Sequence, residues 1–258
     1  TRAGCWAASR GARSARVPPL RFVLVNGALI RDLRRALGDD RVRTGSTELA
    51  LYSRDASNMS GETAVVCLPT NTDEVGACVR ACVRHRVPFV ARGSGTGLAG
   101  GAVPLEHAVV ISLAKMNRVL SVDAENRMAW VEPGLLNLDL SRFTLGDGLH
   151  FAPDPSSQQS CSIGGNLSTN AGGLCCVKYG QTRESVLGLE VVRCSPHDRG
   201  RRTETLPVPH HCSLKSPPQD RGQLRAAQLL LQLVVHLARL DLERNNLNAA
   251  AHRRIKRV

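Results

Sequence analysis

Apolar positions fall into helical spacing just after Asn26, where Leu29, Ile30, Leu33, Ala36 and Leu37 share one face and Gly38 supplies a stop. Residues 63–68 form a short apolar run closed by Pro69 and predict a strand. Asn71, followed three residues later by Glu74, is a capping pair for a helix whose apolar positions are 75, 78, 79, 82 and 83. Residues 88–91 and 108–113 predict two more strands. Residues 119–122 and 128–131, either side of the turn 123–126, predict a hairpin. Pro133-Gly134 ends it, and Leu136, Leu140 and Phe143 suggest a further helix. Strand, helix, strand, glycine loop, strand and hairpin in that order argue for an α+β architecture.

The two ends differ from this centre. Residues 1–28 carry many arginines and no periodicity, and read as an unstructured or non-native leader. After Val192 comes a stretch rich in Arg, His, Pro and Ser. Residues 224–242 follow, apolar apart from a stripe of Gln228, Gln232, His236 and Arg239 at helical spacing. They predict one buried or partner-seeking helix. The run is short for a membrane span and carries Gln, His and Arg, so no transmembrane segment is expected. The chain thus divides into 1–28, a folded unit at 29–192, and a basic tail at 193–258 expected to pack poorly against that unit.

Aromatics make up only 3% of the 258 residues, so Val, Leu, Ala and Cys must build the core. The net charge of +12 suggests nucleic acid until it is divided along the chain. Residues 1–44 hold ten Lys/Arg against three Asp/Glu, residues 45–192 eleven against fourteen, and residues 193–258 thirteen against five. The basicity belongs to the ends, with no aromatic interleaving and no nucleic-acid motif, which argues against a nucleic-acid partner. None of the nine cysteines sits in a Cys-x-x-Cys pair. Cys78 and Cys82 read as core hydrophobes, and the adjacent Cys175 and Cys176 would point to opposite sides of a strand. No metal site is expected. Unpaired thiols and the lack of a signal-peptide apolar run point to the cytoplasm.

The sharpest chemical feature is Arg92-Gly-Ser-Gly-Thr-Gly-Leu-Ala-Gly-Gly101, directly after a strand. Glycines let a backbone take positive φ and approach a ligand closely. Successive N–H groups in such a loop form a nest for phosphate oxygens. The stretch 95–100 matches G-x-G-x-x-G, yet Pro104 follows, no helix opens, and no acid stands where a ribose would need one. The Rossmann reading is therefore rejected. A second glycine-rich segment, 153–173, combines Gly164, Gly165, Gly172 and Gly173 with Ser, Thr and Asn. Its neutral, hydroxyl-rich lining suits holding a cofactor better than hydrolysis. No Ser lies in a nucleophile elbow, and His150 has no evident partner.

The two loops, with Val131-Glu-Pro-Gly134 between them and Lys178-Tyr-Gly180 and residues 186–192 after them, resemble the FAD-binding domain of the glycolate oxidase and D-lactate dehydrogenase family. That family is of the vanillyl-alcohol oxidase and p-cresol methylhydroxylase type. The resemblance implies a non-Rossmann fold of two α+β subdomains with FAD extended between them. It implies that Arg92, Gly93, Ser94, Gly95, Thr96 and Gly97 wrap the pyrophosphate through backbone N–H groups. It further implies that Ser156, Ser157, Cys161 and Ser162 line the cofactor, that Gly164 and Gly165 allow close backbone approach, and that Thr169 and Asn170 lie further along. Family members with covalent flavin carry His in the first loop, where this chain has Ser94 and Thr96, so the expected link is non-covalent. The implied chemistry is hydride transfer from a small 2-hydroxy acid, glycolate or D-lactate class, to flavin. Redox partner subunits, through which the protein would sit peripherally at a membrane, are compatible with the resemblance.

The likeness stops at Val192. Residues from 193 have the Arg/Pro/His/Leu bias of a GC-rich gene read out of frame, and residues 1–20 share it. The expectation is a FAD-binding domain incomplete at its C-terminal end, without the substrate domain, no identifiable catalytic residue, and no activity alone. The alternative is a non-catalytic FAD-binding remnant or binding module.

Overall fold

The computed structural model describes residues 25–105, 107–193, 203–207, 228–236 and 238–239. The first helix, α1 (Gly27–Leu37), is capped by the Asn26 side chain, whose Oδ1 accepts from Leu29 N at 3.0 Å. Gly38 ends it at φ 92°, its N–H donating to Arg34 O at 2.8 Å. The chain continues through β1 (Val42–Arg43), α2 (Ser46–Tyr52) and β2 (Thr63–Cys67) to α3 (Thr72–His85). Asn71 caps α3 through Glu74 N at 3.0 Å. The Glu74 carboxylate reaches Thr70 N at 2.8 Å and takes Arg41 Nη1 at 2.6 Å, so the capping pair also ties α3 to the edge of the sheet. Arg86 closes α3 in the left-handed region.

β3 (Phe89–Arg92) and β4 (Ala108–Ser112) complete a four-stranded sheet of order β1-β2-β4-β3, in which β2, β4 and β3 run parallel. β4 is central and buried throughout, which is why it reads as an unbroken apolar run. One face, with Val65, Cys67, Val109 and Ile111, packs on Leu29, Leu33 and Leu37 of α1 and on Val75, Cys78, Val79 and Cys82 of α3. The other face, Val66, Leu68 and Val110, takes Leu49 and Tyr52 from α2. Each aliphatic side chain buried here contributes about 1.5–3 kcal/mol relative to exposure, and these short helices depend on that layer more than on propensity.

The second subdomain begins with the hairpin β5 (Val119–Asp123) and β6 (Met128–Val131), turned by Asp123, whose carboxylate accepts from Asn126 N at 2.9 Å. Then come α4 (Asn137–Phe143), β7 (Leu149–His150), α5 (Ile163–Thr169), α6 (Cys176–Tyr179) and β8 (Val186–Arg193). In α4, Leu140 is buried as its spacing requires, but Phe143 is 63% exposed. Cys175 and Cys176 open α6 and lie on no strand, which corrects the expectation drawn from their adjacency. A second core of Ala129, Val131, Leu140, Phe151, Ile163, Leu167 and Val186 joins these elements. β8 bridges the two cores, with Val186 in the second and Val192 in the first.

The tail departs most from expectation. Within residues 224–242 the described portions are strands, β10 (Gln228–His236) and β11 (Ala238–Arg239), not a helix. With β9 (Thr203–Pro207) they give an antiparallel sheet β5-β6-β10-β8-β9 and a small pair β11-β7. β10 pairs with β6 on one edge and β8 on the other, and Val235 is fully buried in the second core. Poor packing of residues 193–258 is therefore not what β10 shows. A run of Leu and Val with Gln at every fourth position suits a central strand as well as a helix, and here backbone pairing on both edges decides. Residues 1–24 lie outside the described residues, and α1 starts at Gly27, inside the stretch expected to be a leader.

Candidate cofactor site

The first glycine loop leaves the C-terminal end of β3, beside the end of β4, where Arg92 pairs with Ser112 and Leu113 N donates to Arg92 O at 2.9 Å. Crevices at the carboxyl ends of parallel strands are where α/β sheets receive ligands. Gly95 at φ 74° and Gly100 at φ 72° turn the loop through a backbone region that side chains disfavour. A Cβ on Gly97 or Gly101 would meet nothing within 4 Å, so these two positions face open space. Ser94 is exposed, and Thr96 is half-buried.

The second segment comes to meet the first. A Cβ on Gly93 would overlap the Ser162 hydroxyl and lie 3.7 Å from the Gly165 Cα. Ser162 caps α5, its Oγ accepting from Gly165 N at 3.3 Å. Gly164 is buried and its backbone approach is to Pro133, with Gly164 N donating to Pro133 O at 2.9 Å. Cys161 is buried, and that burial raises its thiol pKa. Ser156 is exposed on the turn before it, and the Ser157 carbonyl accepts from Cys161 N at 2.8 Å. Thr169 donates its hydroxyl to Gly165 O at 3.2 Å. Asn170, left-handed at φ 48°, bonds Gln181 at 2.8 Å and Arg183 N at 3.0 Å, so its side chain ties α5 to the segment before β8. The structure thus joins Gly93 with Ser162 and Gly165, while Thr169 and Asn170 stand at the far end of α5. His150 stands edge-on to Tyr179 at 6.0 Å, and burial lowers its pKa.

Residues 52–61, to which the sequence assigned no site role, form a strap along the first loop. Ala56 N donates to Gly95 O at 3.0 Å, and a Cβ on Gly100 would run into the Met59 sulfur. The strap closes on itself through Gly61 N to Ser53 O at 2.9 Å. The Arg92 guanidinium lies 5.4 Å from the centre of the Tyr52 ring, a cation–π arrangement. Only 8% of Arg92 is exposed; desolvation lowers its pKa while Tyr52 and Asp55 oppose the change, and a guanidinium remains charged throughout. Hydrogen bonds from Ser57 hold the Asp55 carboxyl below its ordinary range.

Several buried polar atoms around these elements have no protein partner. They include Ser112 Oγ, on a residue 1% exposed beside Arg92, Asn166 Nδ2 one residue beyond Gly165, and Asp55 Oδ2. Such orphans are few in folded proteins and call for a ligand or water. Open glycine backbone, an interior cation and the unpaired donors of Ser112 and Asn166 suit an extended anionic ligand, while the Asp55 oxygen is an acceptor and adds nothing to that case. Residues 63–195, more than half of the chain, match the family described as FAD binding domain. The chain belongs to that family. It is 46% identical to "Glycolate oxidase subunit GlcD" of Bacillus subtilis (strain 168) over 143 residues, covering 55% of this chain and 30% of that protein. It is 38% identical over 161 residues to "D-lactate dehydrogenase" of Anaerostipes hadrus, covering 62% and 32%. The chain therefore spans about a third of these relatives' length. In fold it is similar to p-cresol methylhydroxylase with substrate bound (TM-score 0.67, 18% identity, 82% of this chain and 43% of that one). It is likewise similar to alkyldihydroxyacetonephosphate synthase (TM-score 0.69, 19% identity, 83% and 44%). The FAD binding domain here is thus of the glycolate oxidase and D-lactate dehydrogenase family, with the p-cresol methylhydroxylase type of fold. Among the described residues no helix is long and apolar enough to cross a membrane.

Proposed function

We propose that this chain holds FAD non-covalently and is the cofactor-binding part of an oxidoreductase acting on small 2-hydroxy acids. The observation that carries the reading is the meeting of the two glycine segments, Gly93 against Ser162 and Gly165, at the ends of β3 and β4. Backbone N–H groups of residues 92–97 would hold the diphosphate. Ser156, Ser157, Cys161, Ser162, Gly164 and Gly165 would border the cofactor, with Thr169 and Asn170 further along. When bound, FAD supplies the hydride acceptor for the carbon bearing the hydroxyl. The protein's own groups bind and orient. The one carboxylate in the two segments, Asp154, accepts from Cys175 N at 2.9 Å, and their other polar side chains are hydroxyls, amides, a guanidinium and a thiol, none of which takes a proton readily at neutral pH.

Residues 29–192 are the proposed FAD-binding unit, and activity on glycolate or D-lactate would need the portion of the relatives that this chain does not span. Relatives named as subunits of glycolate oxidase support an assembly with redox partner subunits. Free thiols at Cys67, Cys78, Cys82, Cys161, Cys175 and Cys176 support the cytoplasm as its compartment. The test is acid precipitation of protein reconstituted with FAD. All yellow colour should leave with the supernatant, since the family resemblance implies a His in the first loop for a covalent link and this chain has Ser94 and Thr96 there. Colour kept in the washed pellet refutes the non-covalent mode, and failure to take up FAD refutes the reading as a whole.

A further inference from the structure

We propose that the Arg92 side chain is a positioning residue for the diphosphate, a fixed positive charge held inside the first glycine loop behind its N–H groups. This deepens the FAD-binding reading and rests on it. An Arg carries five N–H donors, and burying its charge is costly unless those donors are used. Among the described residues, the one hydrogen bond made by this guanidinium is Nη1 to Ala102 O, long at 3.4 Å. No carboxylate among them forms a salt bridge with it; the Asp55 carboxylate acts on it only through its charge. The cation is thus buried and oriented, with the Asp55 carboxylate as a counter-charge that acts without direct pairing.

Its placement is built. The guanidinium fills the position that a Gly95 Cβ would take, so the loop is folded round it. The bond to Ala102 O links the start of the loop to its end, and the Tyr52 ring covers one face. Tyr52 and Ala56 belong to the strap, so residues 52–61 hold both the cation and the Gly95 carbonyl. Ser112, paired with Arg92 in the sheet, adds a buried hydroxyl with no partner. A doubly charged diphosphate arriving over Gly97 would supply a second counter-charge beside that of Asp55, whereas an uncharged ligand would gain nothing from the cation.

The experiment measures dissociation constants of the full chain for FAD, ADP and adenosine, with the wild type, R92K, R92Q and R92M, each checked by far-UV circular dichroism. The neutral variants should bind FAD and ADP about 10- to 100-fold more weakly, the range for a lost charge-assisted contact. Adenosine should bind within twofold of wild type, and R92K should recover most of the loss. Equal losses for ADP and adenosine, or FAD affinity within twofold of wild type in a folded neutral variant, overturn the proposal. So does failure of both R92Q and R92M to fold, which would make the side chain a structural strut. Wild-type protein that binds no FAD overturns instead the reading on which this one rests.

Discussion

Gly93→Ala tests whether the two glycine segments meet as described. The added Cβ would overlap the Ser162 hydroxyl, while the Ser162 Cβ would lie 3.6 Å away, an ordinary contact. Ser162 is buried, so its hydroxyl must leave Gly165 N and with it the α5 cap. Overpacking of this size costs about 1–3 kcal/mol, and losing a Ser cap about 1 kcal/mol. The single variant should therefore lose about 2–4 kcal/mol in urea unfolding, read as a shift in midpoint at constant slope. Ser162→Ala alone removes the cap and costs about 1 kcal/mol. The double variant keeps only the cap loss, because removing the hydroxyl also removes the overlap. Its expected cost is again about 1 kcal/mol, well below the sum of the singles. Additivity within about 0.5 kcal/mol would refute the contact, and with it the joined site.

Three further outcomes follow from the same geometry. Gly95→Val places a branched side chain at φ 74° and into the Arg92 guanidinium, so flavin binding should be lost while far-UV circular dichroism stays near wild type; FAD affinity within a few fold would reduce the loop to a mere turn. Glu74 is pushed upward by burial, but Arg41 and Thr70 outweigh that and leave its pKa lowered, so its contribution is present above the ordinary carboxyl range and lost as pH falls through the lowered native value. Glu74→Gln should thus cost about 1 kcal/mol at pH 7, and the gap to wild type should close below about pH 4; a gap that widens in acid contradicts this. Val235→Asp puts an unpaired carboxylate into the second core and should lower stability by more than about 3 kcal/mol. An unchanged thermal midpoint would mean that β10 is no part of the sheet.

Local signals determined much of this protein. Caps, spacing and turn residues lie within a few positions of one another, so α1 with Asn26 and Gly38, α3 with Asn71, and the β5–β6 hairpin are legible in the amino-acid order alone. Both glycine segments are legible for the same reason, since a run of Gly, Ser and Asn after a strand marks backbone that must approach something closely. Tertiary structure alone decided which groups those segments meet. That Gly93 abuts Ser162, that Arg92 turns its side chain into the loop, and that Tyr52 and Ala56 strap it are contacts between elements with no periodicity connecting them. The glycines of 153–173 also proved divided in purpose, with Gly164 fitting Pro133 and Gly173 fitting Asp154, which composition does not distinguish. β10 shows the limit most plainly. Gln228, Gln232 and His236 trace a helical stripe, yet β6 and β8 offered two open edges. Unpaired backbone N–H and C=O groups buried there would cost more than a single helix face could return.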